Sequence, residues 1–230
     1  MKRKLGRPID PGKDKAILSA ARNLLFREGS AALTMDRVAQ LAGVSKVTLY
    51  DRHKNRQQLL QTVIEGEASL VNQVLDCPPE SVRQFKERLI AFIQTLLTYI
   101  CSARHLRLMQ AIGDLPQKPA DLIQIYRNGP DRSLQALAEY LRIGSQRGFF
   151  SGSLDAEQHA ELLIAAAIGF DMIRTQYRVP LSRRNAAARK SHARYVVMLF
   201  LAIPLHKSLG SNFADANSVT LKIDGETQWP

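Results

Sequence analysis

Hydroxyl, ammonium and guanidinium side chains crowd residues 34–56, and these are the groups that hydrogen-bond the phosphates and base edges of a nucleic-acid duplex. The side chains that suit phosphate oxygens are Thr34, Ser45, Tyr50, Lys54 and Arg56. Those that suit base edges are Lys46, Thr48, Asp51 and Arg52. Phosphate contacts provide affinity and base contacts provide sequence specificity. We therefore expect this stretch to bind DNA and to discriminate among sequences.

Two short helices joined by a tight turn would position these groups. Thr34 is a good N-cap for the first helix, whose apolar stripe is formed by Val38, Leu41 and Ala42. Gly43 sits where a helix ends in a left-handed residue, and Ser45 can cap a second helix that starts at Lys46. A second helix held in this way fits the major groove, so the pattern predicts a helix-turn-helix.

The positive charge of the chain is concentrated near this motif. The net charge is +11, and residues 1–60 contribute +8 of it, from thirteen Lys/Arg and five Asp/Glu. Such asymmetry indicates a polyanionic partner. A surface that is merely basic for solubility would not explain why the charge is clustered. Residues 1–12 form a Pro/Gly-containing basic arm, and we expect it to reach a neighbouring minor groove through Arg3, Lys4 and Arg7.

The rest of the chain also reads as helices. Apolar residues recur at helical spacing, strand alternation is scarce, and Pro and Gly mark the breaks, so we predict an all-α fold with about nine helices. We expect the domains to be the flexible arm 1–12, a three-helix DNA-binding domain 13–64, a helical effector-binding and dimerisation domain 65–210, and a polar tail 211–230. The first helix should run from about residue 13 to 28, and a kink is expected at Gly129-Pro130.

Cysteine content and hydropathy indicate the cellular compartment in which the protein is expected. Cys77 and Cys101 are the only cysteines, too few for a disulfide framework. The longest apolar runs, 162–170 and 195–205, are shorter than the roughly 18–20 residues that span a bilayer. We therefore expect a cytoplasmic protein without a membrane partner.

The motif carries a family resemblance. The spacing Thr-x₃-Val-Ala-x₂-Ala-Gly-Val-Ser-x₂-Thr-Leu-Tyr, within residues 13–64, resembles the DNA-binding domain of the TetR family of bacterial transcriptional regulators. This resemblance implies a dimeric repressor, or less often an activator, whose C-terminal helices form a small-molecule pocket and a four-helix dimer interface. The positions that match DNA contacts of the family are Thr34, Ser45, Lys46, Val47, Tyr50, Arg52 and Arg56.

Three residues depart from the family pattern. Val47 replaces a usual glycine and could contact a thymine methyl group or simply pack. Asp51 stands at a base-reading position, where it could select a cytosine amine. His53 replaces a usual phenylalanine, which either weakens the local core or lets a buried imidazole find a partner.

Apolar side chains of the C-terminal helices provide the material for an effector pocket. The candidates are Phe92, Leu96, Tyr99, Leu108, Met109, Ile112, Ile125, Tyr126, Phe170 and Ile173. They favour a lipophilic or aromatic effector. The polar groups that could orient it are Arg104, His105, Gln110 and Asp114.

Two later helices have the composition of a dimer interface. Residues 162–170 are apolar nearly all round, and the last helix offers a companion surface through Tyr195, Val196, Leu199, Phe200 and Ile203. A two-fold dimer would present two recognition helices roughly 34–36 Å apart, or a multiple of that distance, to a palindromic operator.

Two other functions, an enzyme and a ligand-independent DNA-binding protein, are the alternatives. The chain has no dinucleotide-binding, P-loop or H-E-x-x-H pattern and its five His are scattered, so we expect no enzyme, no cofactor and no metal. A ligand-independent or architectural DNA-binding protein would share every DNA-binding residue and would differ in lacking a cavity. Arg22, Arg27 and Lys15 are interpreted as solvated surface charges.

Overall fold

The computed structural model describes residues 10–115, 119–150 and 155–202, and these residues form helices and connecting turns without a strand. The predicted all-α class is confirmed. The arm residues Arg3, Lys4 and Arg7, the predicted interface residue Ile203 and the tail 211–230 lie outside the described residues.

Eleven α-helices follow one another in the described part of the chain. The first four are α1 Pro11–Asn23, α2 Met35–Ala42, α3 Lys46–Arg52 and α4 Arg56–Asn72. The remaining seven are α5 Val82–Ile100, α6 Ala103–Gly113, α7 Pro119–Tyr126, α8 Arg132–Gln146, α9 Ala156–Ile168, α10 Phe170–Gln176 and α11 Ala186–Ala202. A π-helical turn, Leu24–Glu28, continues α1, and a second one, Arg127–Asp131, joins α7 to α8.

Side-chain caps set most of the helix starts, because the first backbone N–H groups of a helix lack partners within it. The caps that accept such a bond are Asp10, Thr34, Ser45, Asn55, Ser81, Ser102 and Asp155. Asp10 and the favourable N1 position of Pro11 start α1 two residues before the predicted start at residue 13.

Breaks in the later helices follow Gly and Pro. The predicted kink at Gly129-Pro130 is present as the second π-helical turn. Apolar residues recur at helical spacing throughout residues 155–177, but Gly169 adopts φ 47°, ψ −138° and divides this segment into α9 and α10. A non-glycine residue rarely adopts such a positive φ, so this break depends on glycine.

The buried side chains form two apolar clusters. The N-terminal cluster joins α1–α4 to Leu108, Ala111, Leu115 and Ile125 of the following segments. The C-terminal cluster is built by α5, α8, α9 and α11 around Phe85, Phe92 and Tyr140. Tyr99 of α5 packs against both clusters, so it lies at the boundary between the two cores.

No single helix among the described ranges has both the length and the hydropathy to cross a bilayer. Helices α5 and α6 meet that criterion only when taken together, and a bend of 60° separates them.

Candidate nucleic-acid interface

The turn between α2 and α3 has the geometry that the sequence predicts. Thr34 Oγ1 accepts a hydrogen bond from Arg37 N at 3.3 Å, and Ser45 Oγ accepts one from Thr48 N at 3.1 Å. Gly43 lies between the two helices in the left-handed conformation, at φ 64° and ψ 32°. These local bonds fix the start of each helix and therefore the orientation of α3 relative to α2.

One prediction for α2 is wrong. The sequence pattern places Leu41 in the apolar stripe, but its side chain is 51% exposed. The buried face of α2 is formed by Met35, Val38 and Ala39, with Ala42 partly buried. At about 100° per residue the centre of that face lies between Val38 and Ala39, and Leu41 falls beyond its edge.

One side of helix α3 is buried against the protein, and the opposite side is exposed to solvent. Leu49 is fully buried in the N-terminal cluster. The exposed side chains of α3 are Lys46, Val47, Tyr50 and Asp51. Val47 is 69% exposed, so the structure does not show the packing that was one of its two interpretations. This arrangement leaves the outer face of α3 open to a groove of DNA.

Lys46 and Thr48 both have partners close to the turn. Lys46 Nζ lies 2.8 Å from Asp36 Oδ1 on the preceding helix, and both side chains are exposed. The hydrogen bond to Asp36 raises the pKa of Lys46, so this group stays a cation. Thr48 Oγ1 lies 2.9 Å from Ser45 Oγ, which ties its hydroxyl to the cap. An exposed ion pair contributes little to stability, so breaking the contact between Lys46 and Asp36 would cost little.

Arg52 is turned toward α1. Its guanidinium group pairs with Asp14, and Nη2 also donates to the carbonyl oxygen of Asp10 at 3.3 Å. The side chain is only 16% exposed. Arg52 therefore joins the end of α3 to the start of α1, and the predicted base contact requires it to leave Asp14.

Arg56 holds the segment before α2. Its Nε donates to Leu33 O at 3.0 Å, and its Nη2 donates to Ser30 O at 3.1 Å and to Ser30 Oγ at 2.6 Å. Lys54, two residues earlier, is exposed. Lys54 thus keeps the exposure that a phosphate contact needs, whereas Arg56 is engaged in positioning the backbone that leads into α2.

His53 is buried at the end of α3, where the imidazole has a partner. Its Nδ1 lies 3.5 Å from Thr62 Oγ1 of α4. Burial lowers the pKa of His53, while Asp14 raises it and Arg52 lowers it by smaller amounts. The imidazole therefore favours its neutral form, which can share a hydrogen bond with the threonine hydroxyl.

An ion-pair cluster that the sequence analysis missed joins the motif to the rest of the chain. Glu67 of α4 pairs with Arg22 of α1 at 2.9 Å and with Arg104 of α6 at 2.7 Å. The interpretation of Arg22 as a solvated surface charge is therefore wrong. A signal for this cluster was available, because Glu67 continues the buried stripe of Val63 and Ile64 at helical spacing.

The predicted effector-pocket residues lie in different parts of the described structure. Phe92 and Leu96 lie in the C-terminal cluster, whereas Leu108 and Ile125 lie in the N-terminal cluster with Ile112 packed against it. The exposed candidates are Met109, Tyr126, Phe170 and Ile173. Tyr99 lines a cavity that has a volume of about 310 Å³ and lies between α4, α5 and the start of α6.

Helices α9, α10 and α11 leave many apolar side chains exposed. These side chains are Leu162, Phe170, Met172, Ile173, Tyr195, Met198 and Leu199. The buried residues of the same helices, such as Leu163 and Val197, face the C-terminal core. A chain that exposes this much apolar surface on neighbouring helices has a surface suited to a partner.

Two family models match this chain. Residues 17–63 match "Bacterial regulatory proteins, tetR family", and residues 87–203 match "AefR-like transcriptional repressor, C-terminal domain". The first match covers the helix-turn-helix and the helices around it. The second covers more than half of the chain.

Similarity to individual proteins agrees with the two family matches. The HTH-type transcriptional regulator YdeS of Bacillus subtilis (strain 168), itself named as uncharacterized, is 31% identical over 166 residues, which are 71% of this chain and 80% of YdeS. A TetR-family regulator from Mesorhizobium loti has the same fold, with a TM-score of 0.65 at 23% identity over 83% of this chain and 95% of that one. The regulator FadR of Bacillus subtilis, solved in complex with stearoyl-CoA, aligns with a TM-score of 0.58 at 16% identity over 84% of this chain and 100% of that one. With its capped helix-turn-helix and its helical C-terminal part, this chain belongs to the TetR family of bacterial transcriptional regulators.

Proposed function

We propose that this regulator is a dimeric repressor that binds a palindromic operator through α3 and leaves it when a small molecule binds the C-terminal helices. The observation that carries the proposal is the outer face of α3, which is fixed by the Ser45 cap and by buried Leu49 while Lys46, Val47 and Tyr50 stay exposed. A rigid helix with an open, partly cationic face fits the major groove.

Dimerisation is supported by the exposed apolar side chains of α9, α10 and α11. A single copy would hold these side chains in water, whereas a two-fold contact would bury them against their own equivalents. The two recognition helices would then be held at a fixed spacing. Palindromic half-sites one helical turn apart, or a multiple of it, are the matching DNA.

Release by a small molecule is supported by the cavity between α4, α5 and α6 and by two comparisons. The C-terminal family model is described as that of a repressor, and FadR of Bacillus subtilis was solved with stearoyl-CoA. A ligand can shift the equilibrium only if it binds the operator-bound and released forms with different affinities. A cavity beside α4, which continues from the helix-turn-helix, can meet that condition.

Selection of bound duplexes from a random pool tests operator recognition. We expect enriched sequences to be palindromes, and Lys46→Ala to lose about 1–3 kcal/mol on the selected site but less on random DNA. Lys15→Ala is the matched control, because Lys15 is an exposed cation on α1 rather than on α3. Equal losses for Lys46→Ala on selected and random DNA would contradict base recognition by this helix.

Transcription of the genes beside the selected operator tests the sign of regulation. Deletion of the regulator should raise their expression if it is a repressor and lower it if it is an activator. If no small molecule releases the protein from its operator, the alternative function, a ligand-independent DNA-binding protein, is favoured instead.

A further inference from the structure

The ion-pair cluster around Glu67 links three helices in a single contact. Glu67 Oε1 pairs with Arg22 Nη2 at 2.9 Å and accepts a hydrogen bond from Arg104 Nη2 at 2.7 Å, and the same Arg104 nitrogen lies 2.8 Å from Oε2. The Glu67 side chain is 3% exposed. A carboxylate buried to this extent requires compensating cations, so the position of α4 depends on contacts with both α1 and α6.

The cluster has an excess of positive charge. Two guanidinium groups face one carboxylate, which leaves a net charge of +1 in a partly buried place. Arg104 is the more accessible of the two cations, with a side chain 44% exposed against 24% for Arg22. Tyr99 does not offset this excess, since burial raises the pKa of its hydroxyl and keeps it neutral.

Glu67 and Arg104 both line the cavity of about 310 Å³. Its other walls combine hydroxyl groups with apolar surface, contributed by Leu70, Val71, Thr95, Thr98, Tyr99 and Ser102. This volume is at the small end of the range for ligand sites, about 300–1,000 Å³. The walls suit a compact apolar body, and the guanidinium group suits an acidic head group.

We propose that this cavity is the effector site and that it binds a small organic anion, whose carboxylate or equivalent acidic group takes Arg104 away from Glu67. The inference rests on the proposed release from an operator and names the chemical class of the effector. Arg104 can form a two-pronged contact with a carboxylate, and Glu67 keeps Arg22 as its remaining partner.

The same contact connects the cavity to the DNA-binding helices. The guanidinium carbon of Arg104 lies 4.7 Å from the centre of the Phe26 ring, in the π-helical turn that ends α1. Arg107, one helical turn further along α6, donates to the Phe26 carbonyl oxygen. A ligand that moves Arg104 therefore acts on α1 through Phe26 and on α4 through Glu67. The two states that it distinguishes are Arg104 paired with Glu67 and Arg104 paired with the ligand.

Calorimetric titration of the full-length protein with three acids and their neutral amides tests the charge requirement. The probes are benzoate, octanoate and 4-phenylbutyrate, each beside its amide. We expect at least one acid to bind about tenfold or more tightly than its amide, because a charged hydrogen bond is lost in the amide. Failure of all three acids to bind, or equal affinity of acid and amide, overturns the inference.

Variants assign the contact to Arg104. Arg104→Gln should lower the affinity for the acid to near that of the amide, whereas Glu67→Gln should raise it by removing the competing carboxylate. Arg104→Lys keeps a cation in place should the glutamine variant fail to fold, and it should retain part of the preference for the acid. Arg83→Gln is the matched control, since Arg83 is an exposed cation outside this cavity that pairs with Glu87.

Unchanged affinity of Arg104→Gln for the acid overturns the role of Arg104. Operator binding by the same protein samples without ligand reports separately on the proposed function, since it does not depend on the cavity. If the samples bind a palindrome but show no preference for acids, only the further inference fails. If they bind no DNA yet prefer acids, only the proposed function fails.

Discussion

The guanidinium group of Arg56 has three protein acceptors before any DNA is present. These acceptors are the carbonyl oxygens of Leu33 and Ser30 and the hydroxyl of Ser30. Residues 30–34 lead directly into the N-cap of α2, so the arginine determines how that helix begins. Its sequence position predicts a phosphate contact, while its contacts in the structure indicate a positioning role.

Arg56→Ala should lower the free energy of unfolding by about 1–3 kcal/mol, because it removes charge-assisted hydrogen bonds from half-buried acceptors. Urea denaturation measures this loss. Arg56→Lys should recover only part of it, since an ammonium group cannot reproduce the planar fork of donors. Lys54→Ala, which removes an exposed cation two residues away, should leave the denaturation midpoint unchanged. An unaltered midpoint for Arg56→Ala would contradict the positioning role.

His53 should make the stability of the folded chain depend on pH. Burial holds its pKa below the ordinary value of about 6.5, so the unfolded chain binds a proton at a higher pH than the folded one. The stability is therefore fully present above about pH 6.5 and falls as the pH decreases through the lowered pKa of the folded state.

His53→Phe should reduce the loss of stability between pH 7.5 and pH 5.5, since phenylalanine does not titrate. Urea denaturation at the two pH values measures the change. Burial also lowers the pKa values of His105 and His192, so part of the dependence should remain in the variant. Equal losses in variant and wild type would show that the imidazole of His53 contributes nothing to the effect.

Among the helices, the packing of the Phe85 ring of α5 against α8 depends on a missing side chain. The Phe85 ring stacks on Tyr140, with centroids 5.4 Å apart, and lies against Gly144 on the next turn of α8. A Cβ atom on Gly144 would overlap the Phe85 ring. The Phe85 ring can therefore lie this close to the backbone of α8 only with glycine at that position.

Gly144→Ala should lower the free energy of unfolding by about 1–3 kcal/mol through overpacking of this core. Gly113→Ala is the matched control, because a Cβ there meets no atom within 4 Å and alanine favours the helical state. Chemical denaturation of the two variants should move the midpoint down for Gly144→Ala and leave it unchanged or slightly raised for Gly113→Ala. Similar midpoints would contradict the tight contact.

Local rules account for the elements that the sequence predicts well. The Thr34 and Ser45 caps and the Gly43 turn depend on neighbours within a few residues, so residue type and spacing are enough to find them. The contact of Arg22 with Glu67 depends on how α1 crosses α4, which periodicity does not encode. Composition likewise cannot separate a core residue such as Phe92 from a cavity wall, because both are apolar.

At the scale of the whole molecule, α9 and α11 expose an apolar surface. We propose that a second copy of the chain covers it. Tyr195 and Leu199 follow each other by one turn on α11 and are 65% and 51% exposed, and Leu162 of α9 is 51% exposed. Burial of such side chains between two copies would stabilise a dimer by the hydrophobic effect. The two copies of α3 would then belong to one dimer.

Leu199→Glu should convert the dimer to a monomer, because a carboxylate at the interface would lose its hydration. Analytical ultracentrifugation measures the mass in solution. Affinity for a full palindrome should fall by about 100-fold or more, whereas affinity for a single half-site should not change. Ile123→Glu is the matched control, since Ile123 is 50% exposed on α7. A dimeric Leu199→Glu protein would contradict the proposed interface.

The bonds that cross from α1 to α6 restrict the construction of chimeric regulators. Fusing residues 10–64 to the C-terminal part of another family member would retain Arg22 and Phe26 but discard Glu67, Arg104 and Arg107, their partners in this chain. Under the proposed function, such a hybrid would still bind its operator but would not be released from it by a small molecule. A designer who exchanges modules should therefore transplant these five residues as one set.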